Sequence, residues 1–229
     1  MVQNQYPEDV VPIEEEPHHR LVFSNDRVRF FIVEIAPHER TLRHDHPHDY
    51  LMYVMGEAQV VSTARDGKPT SHTYRDGDCE LSSAGLIHVV ENVRETKFRN
   101  LLVELMPGLN ELQRGRDLRI AAEGGTIEAI FVEERISVWS LEMKPDGQAE
   151  VCGPAIVARL FKDELTAKIN QVSDITWIES GRSVLGSDLG RTVRAIVFQL
   201  GRTEEQLAAA RKRADEPINS PRVHADEPE

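Results

Sequence analysis

HDHPHDYLMYVMG, residues 44–56, sets His44, His46 and His48 at alternate positions ahead of an apolar run that closes on Gly56. On a β-strand successive side chains point to opposite faces, so His44 and His46 face one side together. Two imidazoles at that spacing reach a single ion at about 2.0–2.1 Å. A third ligand has to come from elsewhere in the chain. His88, in GLIHVVEN, is the candidate, because it opens a strand-like segment after the turn at Gly77 and can return beside the first pair. His18, His19, His38, His72 and His224 have no such partner spacing, and structural or solvated roles are expected for them.

Around this stretch the chain is written in short segments rich in Val, Ile, Phe and Tyr. They are RVRFFIVEIA (27–36), YLMYVMGEAQVVST (50–63), SHTYRDGDCEL (71–81), HVVENV (88–93) and KFRNLLVELM (97–106). Their lengths and spacing predict an all-β sandwich or barrel. Asp66-Gly67-Lys68-Pro69 and Asp76-Gly77-Asp78 supply the turns, since Gly takes a positive φ without steric cost. Residues 1–20, with three prolines and the acidic run Glu14 to Glu16, read as an extended N-terminal arm; the barrel is expected over 21–108.

Residues 109–122 carry apolar residues among charges and are expected to be a linker, with a short helix as the form that would bridge two units, before the β pattern returns over 123–201. IEAIFVEERISVWSLEMKPDG (127–147), IVARLF (156–161), ITWIESG (175–181) and RTVRAIVFQLG (191–201) are its strands. VRFFIVEIAPHE and ISVWSLEMKPDG share one order: apolar strand, Glu, two residues, Pro, polar turn. Glu34 and Pro37 would then match Glu142 and Pro145, which suggests internal duplication. Beyond Gly201, residues 202–229 read as a short helix, acidic first and basic last, followed by a Pro-rich and acidic tail.

The 229 residues carry 27 Lys and Arg against 39 Asp and Glu, a net charge of −12, with no basic stripe. Such a chain is repelled by polyanions, so nucleic acid is excluded as a partner. It has no apolar run near the ~20 residues of a membrane span and no start resembling a signal peptide; a soluble cytoplasmic protein is the expectation. Cys79 and Cys152 form no Cys-x-x-Cys pair, which argues against a disulfide framework or a zinc ribbon.

The two histidine segments resemble the cupin superfamily. Its first motif is His-x-His, three or four residues, Glu, about six residues and Gly; its second is Gly, five residues, Pro-x-Gly, two residues, His, three residues and Asn. Here the first runs from His44 and His46 to Gly56. The second runs Gly77, DCELS, Ser83-Ala84-Gly85, Leu86-Ile87, His88, VVE, Asn92, with Ser83 in place of the proline. The resemblance covers residues 21 to 107 and implies a double-stranded β-helix, or jelly roll, with one divalent transition metal (Fe, Mn, Ni, Co, Cu or Zn) on His44, His46 and His88. Tyr50 stands where the family's glutamate ligand falls. Strand parity turns Tyr50 inward and Asp49 away, so Tyr50 is expected as a weak fourth ligand or a hydrogen-bond donor, with Asp49 the alternative if Pro47 kinks the strand. The second half lacks His-x-His: Cys152 falls near the first histidine position, and ITWIESGRSVLGSD offers no histidine. Two cupin-type barrels in tandem follow, the second degenerate, with Cys152 a buried structural thiol.

Three neutral imidazoles leave an ion its charge and its open positions. The resemblance points to oxygenase-type, dioxygenase-like chemistry on a small organic molecule; isomerase or lyase chemistry, hydrolysis by metal-activated water, and ligand binding or sensing without turnover are the alternatives. Candidate proton carriers are His48, Glu104, Tyr50 and Tyr53. Cupins commonly dimerise through edge strands, so a homodimer is expected, with the arm pairing on a neighbour's sheet edge.

Overall fold

A computed structural model describes residues 9–107, 109, 120–162, 169–179, 182–186 and 192–201. Among these residues there is no α-helix, and the strands form three sheets. The first joins β1 (Val11–Pro12), β4 (His44–His46), β9 (Leu86–Asn92), β6 (Ala58–Ala64) and β7 (Pro69–Tyr74) in that order. The second joins β2 (His19–Ser24), β3 (Val28–Ile35), β10 (Phe98–Leu105), β5 (Tyr50–Val54) and β8 (Cys79–Ser82). The third joins β11 (Ile120–Val132), β12 (Ile136–Cys152), β16 (Val193–Leu200), β13 (Ala155–Lys162) and β14 (Ile169–Ile178), with β15 (Arg182–Gly186) paired to the far end of β12.

The near-continuous apolar run of β3 follows from burial on both faces. Phe31, Val33 and Ile35 point into the first barrel with Val54, Val60, Phe98 and Leu102. Phe30 and Ile32 point the other way and share one core with Tyr53, Leu101, Ile136, Val138, Ile156 and Phe198. The second sheet is therefore a wall held in common, with the second barrel's own interior beyond, around Leu141, Met143, Val151 and Val197. Phe30 meets Phe198 edge-on at 5.5 Å, and Phe23 stacks on Trp177 at 5.1 Å. Arg135 Nη2 donates to Asp49 Oδ2 at 2.7 Å, and Arg194 reaches Tyr53 Oη at 2.9 Å and Asp76 at 3.0 Å, so polar ties ring the shared core.

The strands expected in both halves are present, and both turn glycines adopt positive φ, 77° at Gly67 and 91° at Gly77. The N-terminal stretch departs from an arm: Val11 and Pro12 pair in parallel with His44 and Asp45 of the same chain, and His19 opens β2 against Val33. The backbone N–H groups of Val11 and His19 are thus engaged within the chain, donating to Arg43 O at 2.9 Å and Glu16 O at 3.0 Å; residues 1–8 lie outside the described residues. β11 begins at Ile120, inside the stretch expected as a linker; residues 110–119 and the expected C-terminal helix and tail, 202–229, lie outside the described residues.

Candidate metal centre

β4 and β9 run antiparallel with His44 directly opposite His88, and β4 places His46 two residues on, on the same face. All three rings are buried, at 0%, 1% and 7% exposure for His44, His46 and His88. They converge: His44 Nε2 lies 3.1 Å from His46 Nε2, and His88 Nε2 lies 3.2 Å from the same atom. Ligand atoms held at about 2.1 Å by one ion in a cis octahedral arrangement stand about 3.0 Å apart, which is this spacing.

The protons sharpen the point. His44 Nδ1 is 2.9 Å from the carbonyl oxygen of Leu42, which only accepts, so the proton sits on Nδ1 and Nε2 offers its lone pair. His88 Nδ1 bonds Ser62 Oγ at 3.0 Å. His46 Nδ1 is buried with no partner, and its Nε2 has one in-plane direction with which to serve two neighbours. No placement of protons gives three such nitrogens linear hydrogen bonds to one another; a shared cation satisfies them all. Burial, followed by the neighbouring His19, lowers the His44 pKa to about 4; burial, followed by His44, lowers that of His88 to about 3. Burial drives His46 lower still. Near neutral pH all three are uncharged, the form that coordinates. The donor set fits a divalent transition-metal ion.

Tyr50 does turn inward: it is 6% exposed, its ring stacks on His46 at 4.2 Å and 25°, and its hydroxyl bonds Ser82. Burial raises its pKa to about 12, which disfavours the phenolate that would coordinate best. Asp49 faces away, accepting from Ala84 N at 2.8 Å and from Arg135, so Pro47 does not bring it in. Tyr53, offered as a base, points instead into the core shared with the second barrel, where burial raises its pKa beyond the ordinary tyrosine range and Arg194 donates to its oxygen. His48 is half-buried and does not line the cavity. Glu104 is fully buried opposite Tyr50 in the β10–β5 register and pairs with Arg29. Burial raises its pKa to about 7 against the pull of Arg29, but it too stands outside the cavity lining.

His46 and His88 open onto a cavity of about 290 Å³ inside the first barrel. Val33, Met52, Phe98 and Leu102 supply apolar wall; Tyr74, which donates to Glu80 at 2.7 Å, and Asn100, whose Oδ1 is buried without a partner, supply polar points. Two histidines given no role on spacing reach this site. His72 lines the cavity, stacked on Tyr74 at 5.9 Å, and His19 lines it too, with ligand atoms of His19, His44 and His46 within 4.8 Å of one another. The available signal for His19 was Glu16 three residues earlier, which has no meaning in an arm and a clear one at the start of a barrel strand.

No protein-family profile matches the chain, and no curated protein does either. Solved structures do. The formate complex of oxalate decarboxylase from Lactobacillus farciminis superposes with a TM-score of 0.51 at 13% identity, over 86% of this chain and 86% of that one. A second oxalate decarboxylase structure, concerned with substrate binding mode and a reaction specificity switch, gives 0.52 at 12% identity over 81% of this chain and 75% of that one. The chain has a bicupin fold. A single cupin domain from Bordetella pertussis matches 38% of this chain and 90% of its own at 22% identity, TM-score 0.36. No helix among the described residues is long and apolar enough to cross a membrane.

Proposed function

We propose that the first barrel is a metal-dependent catalytic centre for a small, neutral, largely apolar organic molecule, with His44, His46 and His88 as ligands and oxygenase-type chemistry. The observation that carries this reading is the convergence of three uncharged ring nitrogens, 3.1 and 3.2 Å apart, beside a largely apolar cavity. A divalent ion held there supplies Lewis acidity and, where it is redox-active, a place to bring dioxygen to a substrate.

The chain's own residues define the rest. The apolar walls lower the local dielectric, which strengthens each polar contact made against them. Tyr50 packs flat on His46 and fixes the ring that lacks a hydrogen-bonded brace. Asn100 Oδ1 awaits a donor, a hydroxyl or N–H on the bound molecule, and Glu80 with Tyr74 holds a proton at the wall. Among the described residues the lining has no Lys or Arg. The ion would be the only positive charge facing a dianion such as the oxalate of the fold neighbours, with no side chain to pair a second carboxylate; this favours a neutral substrate.

The test is elemental analysis of purified and metal-reconstituted protein, followed by oxygen uptake with neutral enolisable carbonyl compounds and phenols. One metal per chain in the wild type, none in His46→Ala, and full retention in Cys152→Ala are expected. Oxygen uptake that vanishes in His46→Ala carries the oxygenase reading. Binding of these compounds without turnover would make the barrel a ligand-binding module, and a wild type that takes up no metal would end the proposal.

A further inference from the structure

We propose that His19, held by Glu16, is a fourth imidazole ligand of this centre, so that the ion sits among His19, His44, His46 and His88. The inference rests on the metal reading above and adds a ligand from a part of the chain outside both cupin motifs. His19 Nδ1 is 2.6 Å from Glu16 Oε2. Glu16 is 1% exposed, and its two oxygens also accept from His18 N at 2.8 Å, His18 Nδ1 at 2.9 Å and Leu42 N at 3.1 Å. With His19 Nδ1, four donors converge on the two oxygens of one buried side chain, the pattern of a carboxylate. A carboxylate accepts only, which fixes the His19 proton on Nδ1 and leaves the Nε2 lone pair for the interior.

That lone pair has one useful destination. The His19 ring lies 4.6 Å from the His44 ring and 5.9 Å from the His46 ring, and both those rings offer nitrogens within 4.8 Å of its own. Two ligand atoms about 2.1 Å from one ion stand at most about 4.2 Å apart, so His19, His44 and His46 would need to close by only about half an ångström to share it. The bracing is shared as well. Leu42 donates its N–H to Glu16 and accepts from His44 Nδ1 through its carbonyl, so one backbone residue orients two imidazoles towards one point. A carboxylate or carbonyl on the far nitrogen is how ligating histidines are generally aimed. A purely structural Glu16–His19 pair explains the hydrogen bond, but it gives no reason to turn a further imidazole onto the cavity beside His44 and His46. His19, His46 and His88 line the cavity while His44 stands behind them, so the positions left open on the ion face the cavity.

The experiment uses the full-length protein loaded with Co²⁺, recording paramagnetic proton NMR in H₂O, where each imidazole bound through Nε2 shows one hyperfine-shifted N–H. Four such resonances are expected in the wild type and three in His19→Gln, whose Co²⁺ affinity against a competing chelator should fall about 100-fold. Glu16→Gln keeps four resonances, one of them moved, with about 10-fold weaker binding. Circular dichroism checks that each variant folds; the wild-type count stands on its own should His19→Gln fail to fold. Three resonances in the wild type, unchanged in position by Glu16→Gln, overturn this inference and leave the three-histidine centre intact. No bound Co²⁺ overturns both.

Discussion

The two barrels keep one strand scheme around interiors of opposite chemistry. Glu34 of β3 stands opposite Arg99 of β10, and Glu142 of β12 stands opposite Arg194 of β16. Pro37 is followed by His38 at φ 60°, and Pro145 by Asp146 at φ 64°. Along that register the buried pair Arg29 and Glu104 becomes Ser137 and Gln199, and Tyr50, opposite Glu104, becomes Ala155, opposite Gln199. Counting back from Tyr50 and from Ala155 matches His44 and His46 with Ala149 and Val151; His44 faces His88, and Ala149 faces Leu185. Cys152, expected near the first histidine position, has the opposite strand parity and lies outside the second barrel's inner cluster. The pairing that closes a barrel is carried by backbone and by both-face burial, while the chemistry rides on a few inward side chains that can be exchanged for apolar ones.

The strongest way to break that comparison is to write the second interior into the first. His44→Ala with His46→Val should take the metal content of the reconstituted protein from one per chain to none, while far-ultraviolet circular dichroism stays as in the wild type. Metal retained at one per chain would show that the ligands lie elsewhere. Cys152→Ala, on the opposite side of its strand, should keep the full content.

Next in size comes the buried ion pair. Glu104→Gln alone strands Arg29, which keeps only the partly exposed Glu14 at 3.1 Å, and should cost about 3 kcal/mol in denaturant unfolding. Adding Arg29→Ser reproduces Ser137 and Gln199 and should recover more than half of that loss. A double variant as unstable as the sum of its singles would mean that the pair is not what sets the cost.

These two tests also divide what was legible in the chain from what was not. Segment lengths and turn glycines gave the strands of both barrels, and the convergence of His44, His46 and His88 was legible because strand parity and motif spacing are local in sequence. Tyr50 inward and Asp49 outward followed from the same parity. The placement of His19 beside His44 was not legible because it depends on Glu16 being buried and on β2 lying across the barrel from β4, both consequences of tertiary closure. Tyr53 misled for a related reason: it alternates with Tyr50 on a strand buried on both faces, and nothing in an apolar run says which face holds the cavity. β15 was missed because RSVLG is too short and too mixed to show a period.

A smaller effect appears with pH in the metal-free protein. His44 and His88 have folded pKa values of about 4 and about 3, below the ordinary 6.5, so from pH 6.5 downward the unfolded chain takes protons that the folded one refuses. Stability should fall through that window, and again between pH 4.5 and about 2, where Glu16 adds loss of the same sign. His44→Ala with His46→Val should flatten the upper part of the profile. A wild-type melting temperature that is level between pH 6.5 and 4.5 would contradict the burial of neutral imidazoles.

The smallest expected effect falls on Tyr50, which the second barrel replaces with Ala155. Tyr50→Phe keeps the ring that stacks on His46 and removes only the hydroxyl bonded to Ser82, so about 1 kcal/mol of stability should be lost, with metal content unchanged. Tyr50→Ala removes the flat surface as well; His46, whose Nδ1 has no hydrogen-bonded brace, then loses what orients it, and metal affinity should drop about 10-fold. The difference between these variants assigns the residue's contribution to the ring face. Loss of metal in Tyr50→Phe would instead place the phenol oxygen on the ion, and the contrast between the barrels would then rest on one more ligand rather than on one more packing contact.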